Sequence, residues 1–216
     1  MMTRTTTILT IGFFMSCVPL VTAQPANDDC ADASIVDAGT IPFSTVGATT
    51  DGPEVCAPYE ADVWFRFRPD QGGTLIVSTC SPALTFDTVL SIFVNRNQRC
   101  DNTPLACNDD AIDPNCPPGG STVRLVVRSD RTYLIHVGGF DGRTGSGELT
   151  IRLCPGDFDG DGSVALADLA LLLQEFWFSI SANCGIEACG TDLDGDGDVD
   201  LVDVTILLSL FGTYCP

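Results

Sequence analysis

Asp157-Phe158-Asp159-Gly160-Asp161-Gly162-Ser163-Val164-Ala165-Leu166-Ala167-Asp168 returns, further along the chain, as Asp192-Leu193-Asp194-Gly195-Asp196-Gly197-Asp198-Val199-Asp200-Leu201-Val202-Asp203. Each copy has carboxylates at positions 1, 3, 5 and 12 and glycine at position 6. A hard divalent cation takes about six to eight oxygens, so a tight loop must turn every second side chain inward. The sharp turn at position 6 favours a residue without a Cβ. Position 7 supplies a backbone carbonyl, so Ser163 and Asp198 serve equally there, and position 9 supplies Asp200 in the second copy only. The spacing therefore predicts two Ca2+ sites. Asp157, Asp159, Asp161, Ser163 and Asp168 are the ligands of the first. Asp192, Asp194, Asp196, Asp198, Asp200 and Asp203 are those of the second. Without a cation these carboxylates repel one another.

Each loop leads into an apolar run with helical period. Leu166, Leu169, Ala170, Leu173 and Phe176 are expected on one stripe, and Leu201, Val204, Leu208 and Phe211 on the other. From Cys154 to Pro216 the chain has twelve acidic residues and no basic one. No Ser- or Pro-rich linker precedes this region, so the two parts of the chain are expected to pack closely.

Upstream the period changes from helical to alternating. In Val63-Trp64-Phe65-Arg66-Phe67-Arg68 the residues Val63, Phe65 and Phe67 share one face. The pattern recurs in Val123 to Arg128, Tyr133 to Val137 and Leu149 to Leu153, and Gly73 to Thr79 and Thr88 to Val94 add two apolar strands. Short strands between Gly, Pro, Asn and Asp turns predict an antiparallel β-sandwich, jelly-roll-like. The expected organisation is a leader over 1–23, a disulfide-braced sandwich over 24–153 and a small all-α calcium-binding domain over 154–216.

The leader has one charge, Arg4, then an apolar run from Ile8 to Val21 and the small-residue site Val21-Thr22-Ala23. Cys17 is the rival cleavage point, although Phe14-Met15-Ser16 matches a lipid-attachment box poorly. The expectation is a secreted, extracellular or cell-surface protein with no transmembrane segment in the mature chain. Of 11 cysteines only Cys17 lies in the leader, and the remaining even number suits disulfides in an oxidising compartment. They divide six and four at the expected boundary, both even numbers, so each domain is expected to pair internally. Cys154–Cys215, Cys184–Cys189 and Cys100–Cys107 are the predicted bridges. A net charge of −19 with no Lys argues against a nucleic-acid partner.

The C-terminal region, from about Cys154 to Pro216, resembles the dockerin domain: a loop-then-helix unit, duplicated, with Asp at position 12. Members of that family bind cohesin modules and attach secreted enzymes, often polysaccharide hydrolases, to a scaffold or cell surface. The family's cohesin-reading positions 10 and 11, often Ser or Thr in cellulosomal members, are Leu166, Ala167, Leu201 and Val202 here. From Asn27 to Leu153 the chain resembles the bacterial pre-peptidase C-terminal (PPC) family of β-sandwiches. The resemblance rests on Asn27-Asp28-Asp29-Cys30, Asp62-Val63-Trp64-Phe65, Phe86-Asp87-Thr88, Ala106-Cys107-Asn108-Asp109-Asp110 and Tyr133 to Gly139. Some relatives bind calcium, which makes Asp87, Asn108, Asp109 and Asp110 candidates for a further site, against the simpler reading that they form turns.

No nucleophile, metalloprotease or phosphate-loop motif is present. His136, the one histidine, sits between apolar neighbours and reads as structural, as do Tyr59, Trp64 and Tyr133. The expectation is a non-catalytic calcium-binding protein for extracellular attachment or ligand binding, with a cohesin-like protein, a cell-surface scaffold or a glycan as partner. The alternatives are a polysaccharide-degrading enzyme or its carbohydrate-binding accessory, and a purely structural surface protein.

Overall fold

The computed structural model describes residues 23–53, 56–95, 100, 103–129, 131–179 and 190–215. Nine strands form two sheets: β1 (Ser34–Val36), β2 (Gly39–Ser44), β3 (Tyr59–Phe67), β4 (Gly73–Ser78), β5 (Thr88–Val94), β6 (Ala106–Asn108), β7 (Thr122–Val127), β8 (Tyr133–Phe140) and β9 (Ser146–Pro155). One sheet has the order β1-β3-β8-β5-β6 and the other β2-β9-β4-β7. Without β1, these are the two interleaved orders of an eight-stranded jelly roll. The pairing is antiparallel except between β1 and β3, which run parallel and so correct the expectation of a wholly antiparallel sandwich.

Alternation explains the core. Val63, Phe65 and Phe67 of β3 face Leu75 and Val77 of β4 and Leu149 and Ile151 of β9 across the interior, all 4% exposed or less. The opposite face of the first sheet is also buried. There Trp64, Phe93 and Leu134 form a second, smaller core with Cys30 and Ala33. The Asn27 motif roofs it: the Trp64 amide donates to the Asn27 carbonyl at 2.9 Å, and Asn27 Nδ2 donates to the Trp64 carbonyl at 3.0 Å.

Two disulfides tie this roof down, Cys30–Cys100 and Cys56–Cys107, and Cys80–Cys116 braces a loop. The expected Cys100–Cys107 hairpin bridge is therefore wrong. Cys107 lies in register with Ser91 on the outer face of its sheet, where it meets Cys56, while Cys100 reaches the N-terminal segment. Cys154–Cys215 forms as expected, and Cys184–Cys189 lies outside the described residues.

Helices α1 (Leu166–Ser179) and α2 (Leu201–Leu210) and a short 3-10 turn at Cys30–Asp32 complete the described elements. The buried stripe of α1 and α2 is only in part the expected one, at Leu169, Phe176 and Val204. Leu172 and Leu207 are fully buried with Phe158, Val164, Leu193 and Val199, and Leu169, Phe176, Val204, Ile206 and Leu210 pack partly against them. Leu166, Leu173, Leu201 and Leu208 are 47–73% exposed, and Ala170 is exposed too. The loops themselves turn Phe158 and Val164, and Leu193 and Val199, into the space between the helices, and that rotates the buried face of each helix. No helix among the described residues is long and apolar enough to cross a membrane.

Candidate metal centres

β9 ends at Pro155, and Gly156 alone separates it from the first loop. The joint is bonded: the Gly156 amide donates to the Gly72 carbonyl at 3.1 Å, and Thr74 Oγ1 donates to the Asp157 carbonyl at 2.7 Å. The first loop thus follows directly on an inner strand of the sandwich, as the missing linker suggested.

Within each loop the same hydrogen-bond net recurs. Asp157 accepts the amides of Gly160 at 2.8 Å and Gly162 at 3.3 Å. Its counterpart Asp192 accepts those of Gly195 at 2.7 Å and Gly197 at 3.0 Å. Asp168 holds the Phe158 and Ala165 amides at 2.7 and 2.8 Å. Asp203 does the same for Leu193 and Asp200, both at 2.7 Å. The glycines at position 6, Gly162 and Gly197, have φ of +89° and +98°, a region side chains rarely enter.

This folding gathers oxygens. One carboxylate oxygen from each of Asp157, Asp159 and Asp168 lies within 4.8 Å of the other two, and the same holds for Asp192, Asp194 and Asp203. Asp157, Asp168, Asp192 and Asp203 are buried. Asp161, Asp196 and Asp198 are exposed and lie outside these groups, as do Ser163 and Asp200. Asp161 accepts the Ser163 amide and hydroxyl, both at 2.8 Å, and Asp200 caps α2. Hard oxygen donors without nitrogen or thiolate are the set calcium prefers.

Burial is the main reason the Asp157 carboxyl is held above the ordinary carboxylate value. The Asp168 and Asp159 charges push the same way, and the Gly160 and Gly162 amides oppose them. Asp192 is raised for the same reasons, burial first, then Asp203 and Asp194 against the amides of Gly195 and Gly197. Asp203 is raised by burial and by Asp194, against three loop amides.

The third candidate group is looser. Asp87 and Asp109 each have a buried carboxylate oxygen with no hydrogen-bond partner among the described residues. Burial raises both carboxyls, Asp110 and Asp87 adding repulsion. Asn108 is occupied differently: its Oδ1 accepts the Thr122 amide at 2.9 Å, and its Nδ2 donates to the Asp110 carbonyl at 3.0 Å. Asn108 is therefore a cross-strand tie.

Sequence reasoning missed the partner of His136. A bulge between Glu60 and Val63, with Ala61 at φ +54°, puts Tyr59, Asp62 and Trp64 on one face. Buried His136 meets the rings of Tyr59 and Trp64, each at 4.5 Å, and its Nε2 bonds Asp62 Oδ2 at 2.7 Å. The pair is fully enclosed.

No family model and no curated protein matches the chain. Among solved structures, a pre-peptidase C-terminal domain of a collagenase from Bacillus anthracis aligns with 56% of this chain and 94% of that one, at 12% identity and a TM-score of 0.38.

Proposed function

We propose that this is a secreted, non-catalytic calcium-binding protein for extracellular attachment or ligand binding, its C-terminal unit a dockerin-type pair of calcium loops. The observation that carries this reading is the repeat of one geometry in both loops, three converging carboxylates each. Four of the six are buried and surrounded by amides rather than by cations, so a bound divalent ion would relieve their repulsion. Asp157, Asp159 and Asp168 would hold one Ca2+, with Asp161 and the Ser163 carbonyl completing the set. Asp192, Asp194 and Asp203 would hold the other, with Asp196, Asp198 and Asp200. The orphaned oxygens of Asp87 and Asp109 favour a further ion in the sandwich.

Attachment is supported by the heads of the two helices. Leu166, Leu201 and Val202 are 73%, 70% and 48% exposed, an apolar surface suited to a protein partner such as a cohesin-like module on a scaffold. The four disulfides, Cys30–Cys100, Cys56–Cys107, Cys80–Cys116 and Cys154–Cys215, fit an extracellular setting. Calcium calorimetry on the full chain is expected to show two strong sites. Circular dichroism in excess chelator is expected to lose the helical signal and keep the β signal, because ion binding and folding are coupled in such loops. Equal helix content with calcium and with chelator would sink the reading.

A further inference from the structure

The outer face of the β2-β9-β4-β7 sheet meets the first calcium loop at Thr74 and carries a row of its own beyond it. Strand register lines up four hydroxyls across it: Thr40 opposite Thr150, Thr150 opposite Ser78, Ser78 opposite Thr122. They bond in pairs, Thr40 with Thr150 at 3.1 Å and Ser78 with Thr122 at 2.7 Å. The Thr40–Thr150 pair leaves a second O–H and several lone pairs for a ligand; in the other pair Ser78 also accepts the Cys80 amide at 3.1 Å and Thr122 donates to Cys80 Sγ at 3.3 Å, which leaves acceptors only. In the next row Arg152 and Arg124 flank Ile76, two strands apart or about 10 Å.

Three adjoining depressions form a shallow trough along this face. A depression of about 250 Å³ lies over Ile76 between the two arginines. It shares Thr150 and Arg152 with one of about 440 Å³ that ends at Tyr214, and Thr122 and Arg124 with one of about 400 Å³ that ends at Ile112. Tyr214 is 76% exposed. Its position is set by the Cys154–Cys215 bridge, by the Cys215 amide on the Gly162 carbonyl at 2.7 Å and by pairing with Ser163. The C-terminal unit thus places an aromatic ring at one end of a sandwich surface.

We propose that this trough binds an acidic polysaccharide, a sugar chain bearing carboxylates. Tyr214 would stack on a sugar face, the hydroxyl row would exchange hydrogen bonds with sugar hydroxyls, and Arg124 would meet a carboxylate. Charge complementarity selects the acidic occupant. The chain has 29 acidic residues against 10 basic, yet among the described residues no carboxylate lies within ion-pair distance of Arg124. Asp113 lines the same depression and accepts the Asn115 amide at 2.9 Å, and Glu148 accepts from Ser81 Oγ at 2.6 Å; both keep their charge, and neither pairs with Arg124. A nucleic acid would need the wider basic surface this chain lacks. The proposal deepens the ligand-binding half of the reading above and rests on it, but Arg124 is remote in role from the calcium loops.

Titration calorimetry of the calcium-loaded full chain, dialysed free of excess ion because uronates bind calcium themselves, tests it with three probes: an oligogalacturonate hexamer, a keratan sulfate hexamer, which bears sulfates and no carboxylate, and cellohexaose. The expected result is tightest binding of the uronate, weakening with salt, and a loss of about tenfold in Arg124→Gln and in Tyr214→Ala. Calcium titration of Arg124→Gln is expected to match wild type, which separates this site from the calcium sites. No uronate binding by the wild type, cellohexaose or the sulfated probe binding as tightly, or unchanged uronate affinity in Arg124→Gln would each overturn the proposal. If the uronate binds as expected and the loops take no calcium, the calcium reading fails and the trough stands.

Discussion

At position 9 of the second loop, Asp200 accepts the Val202 amide at 2.6 Å and caps α2; the first loop has Ala165 there, with no oxygen to offer. A position-9 carboxylate also adds charge to the ion's surroundings, and affinity in such loops is tuned by that charge. The second loop is therefore expected to fill first. Calorimetry on Asp157→Ala and Asp192→Ala checks the order, and a tighter surviving site in Asp192→Ala reverses it. Two further variants separate the roles of Asp200. Asp200→Asn keeps the cap, so only calcium affinity is expected to fall. Asp200→Ala is expected to lose both, with about 1 kcal/mol less helix stability. The spacing of the carboxylates made these residues legible from the chain alone. The Asp62–His136 bond was not, because it depends on the bulge at Ala61 that reverses which residues of β3 face outward.

The two helices show where periodicity stops being informative. Apolar residues surround both, so several stripes satisfied the helical period, and only packing selected Leu172 and Leu207. In calcium, Leu172→Ala is expected to cost about 2–5 kcal/mol in denaturant unfolding of the helical unit, as truncation in a core does. Leu166→Ala, at a 73% exposed position, is expected to change stability little. A larger cost at Leu166 than at Leu172 would mean that the expected stripe, not the observed one, is buried. The loops add a pH dependence. In the ion-free state Asp157, Asp192 and Asp203 are raised above the ordinary value of 3.8, so the folded form takes up protons before the unfolded chain does. In chelator, stability of the helical unit is therefore expected to rise as pH falls through the raised values, the gain being complete below 3.8. In calcium the same protons compete with the ion, so affinity is expected to fall over that range. Helical ellipticity followed with pH in both conditions gives the two opposite slopes; parallel slopes would contradict the assignment.

Across the whole molecule, Cys154–Cys215 fastens the last described residues to the final strand of the sandwich, closing a loop with a separation of 61 residues. By chain entropy such a bridge stabilises by about 4 kcal/mol. Replacing both cysteines by Ser is expected to remove roughly that much from the helical unit while the sandwich, held by three other bridges, melts as before. Differential scanning calorimetry in calcium reads the two transitions. A sandwich transition that drops by as much as the helical one would mean that the two parts unfold as one.

What the chain determined by itself was local: the loop spacing that gathers carboxylates within twelve residues, and the alternation that makes the long strands and their inner faces. These follow from neighbours in sequence and two fixed periods. Tertiary structure decided what depends on distant segments. It chose Cys30 for Cys100 and Cys56 for Cys107, because the pairing of β6 beside β5 turned Cys107 toward the roof. It also aligned Thr40, Thr150, Ser78 and Thr122 in one row and brought Tyr214 to its end. That row exists only through the register of four strands that lie far apart in the chain.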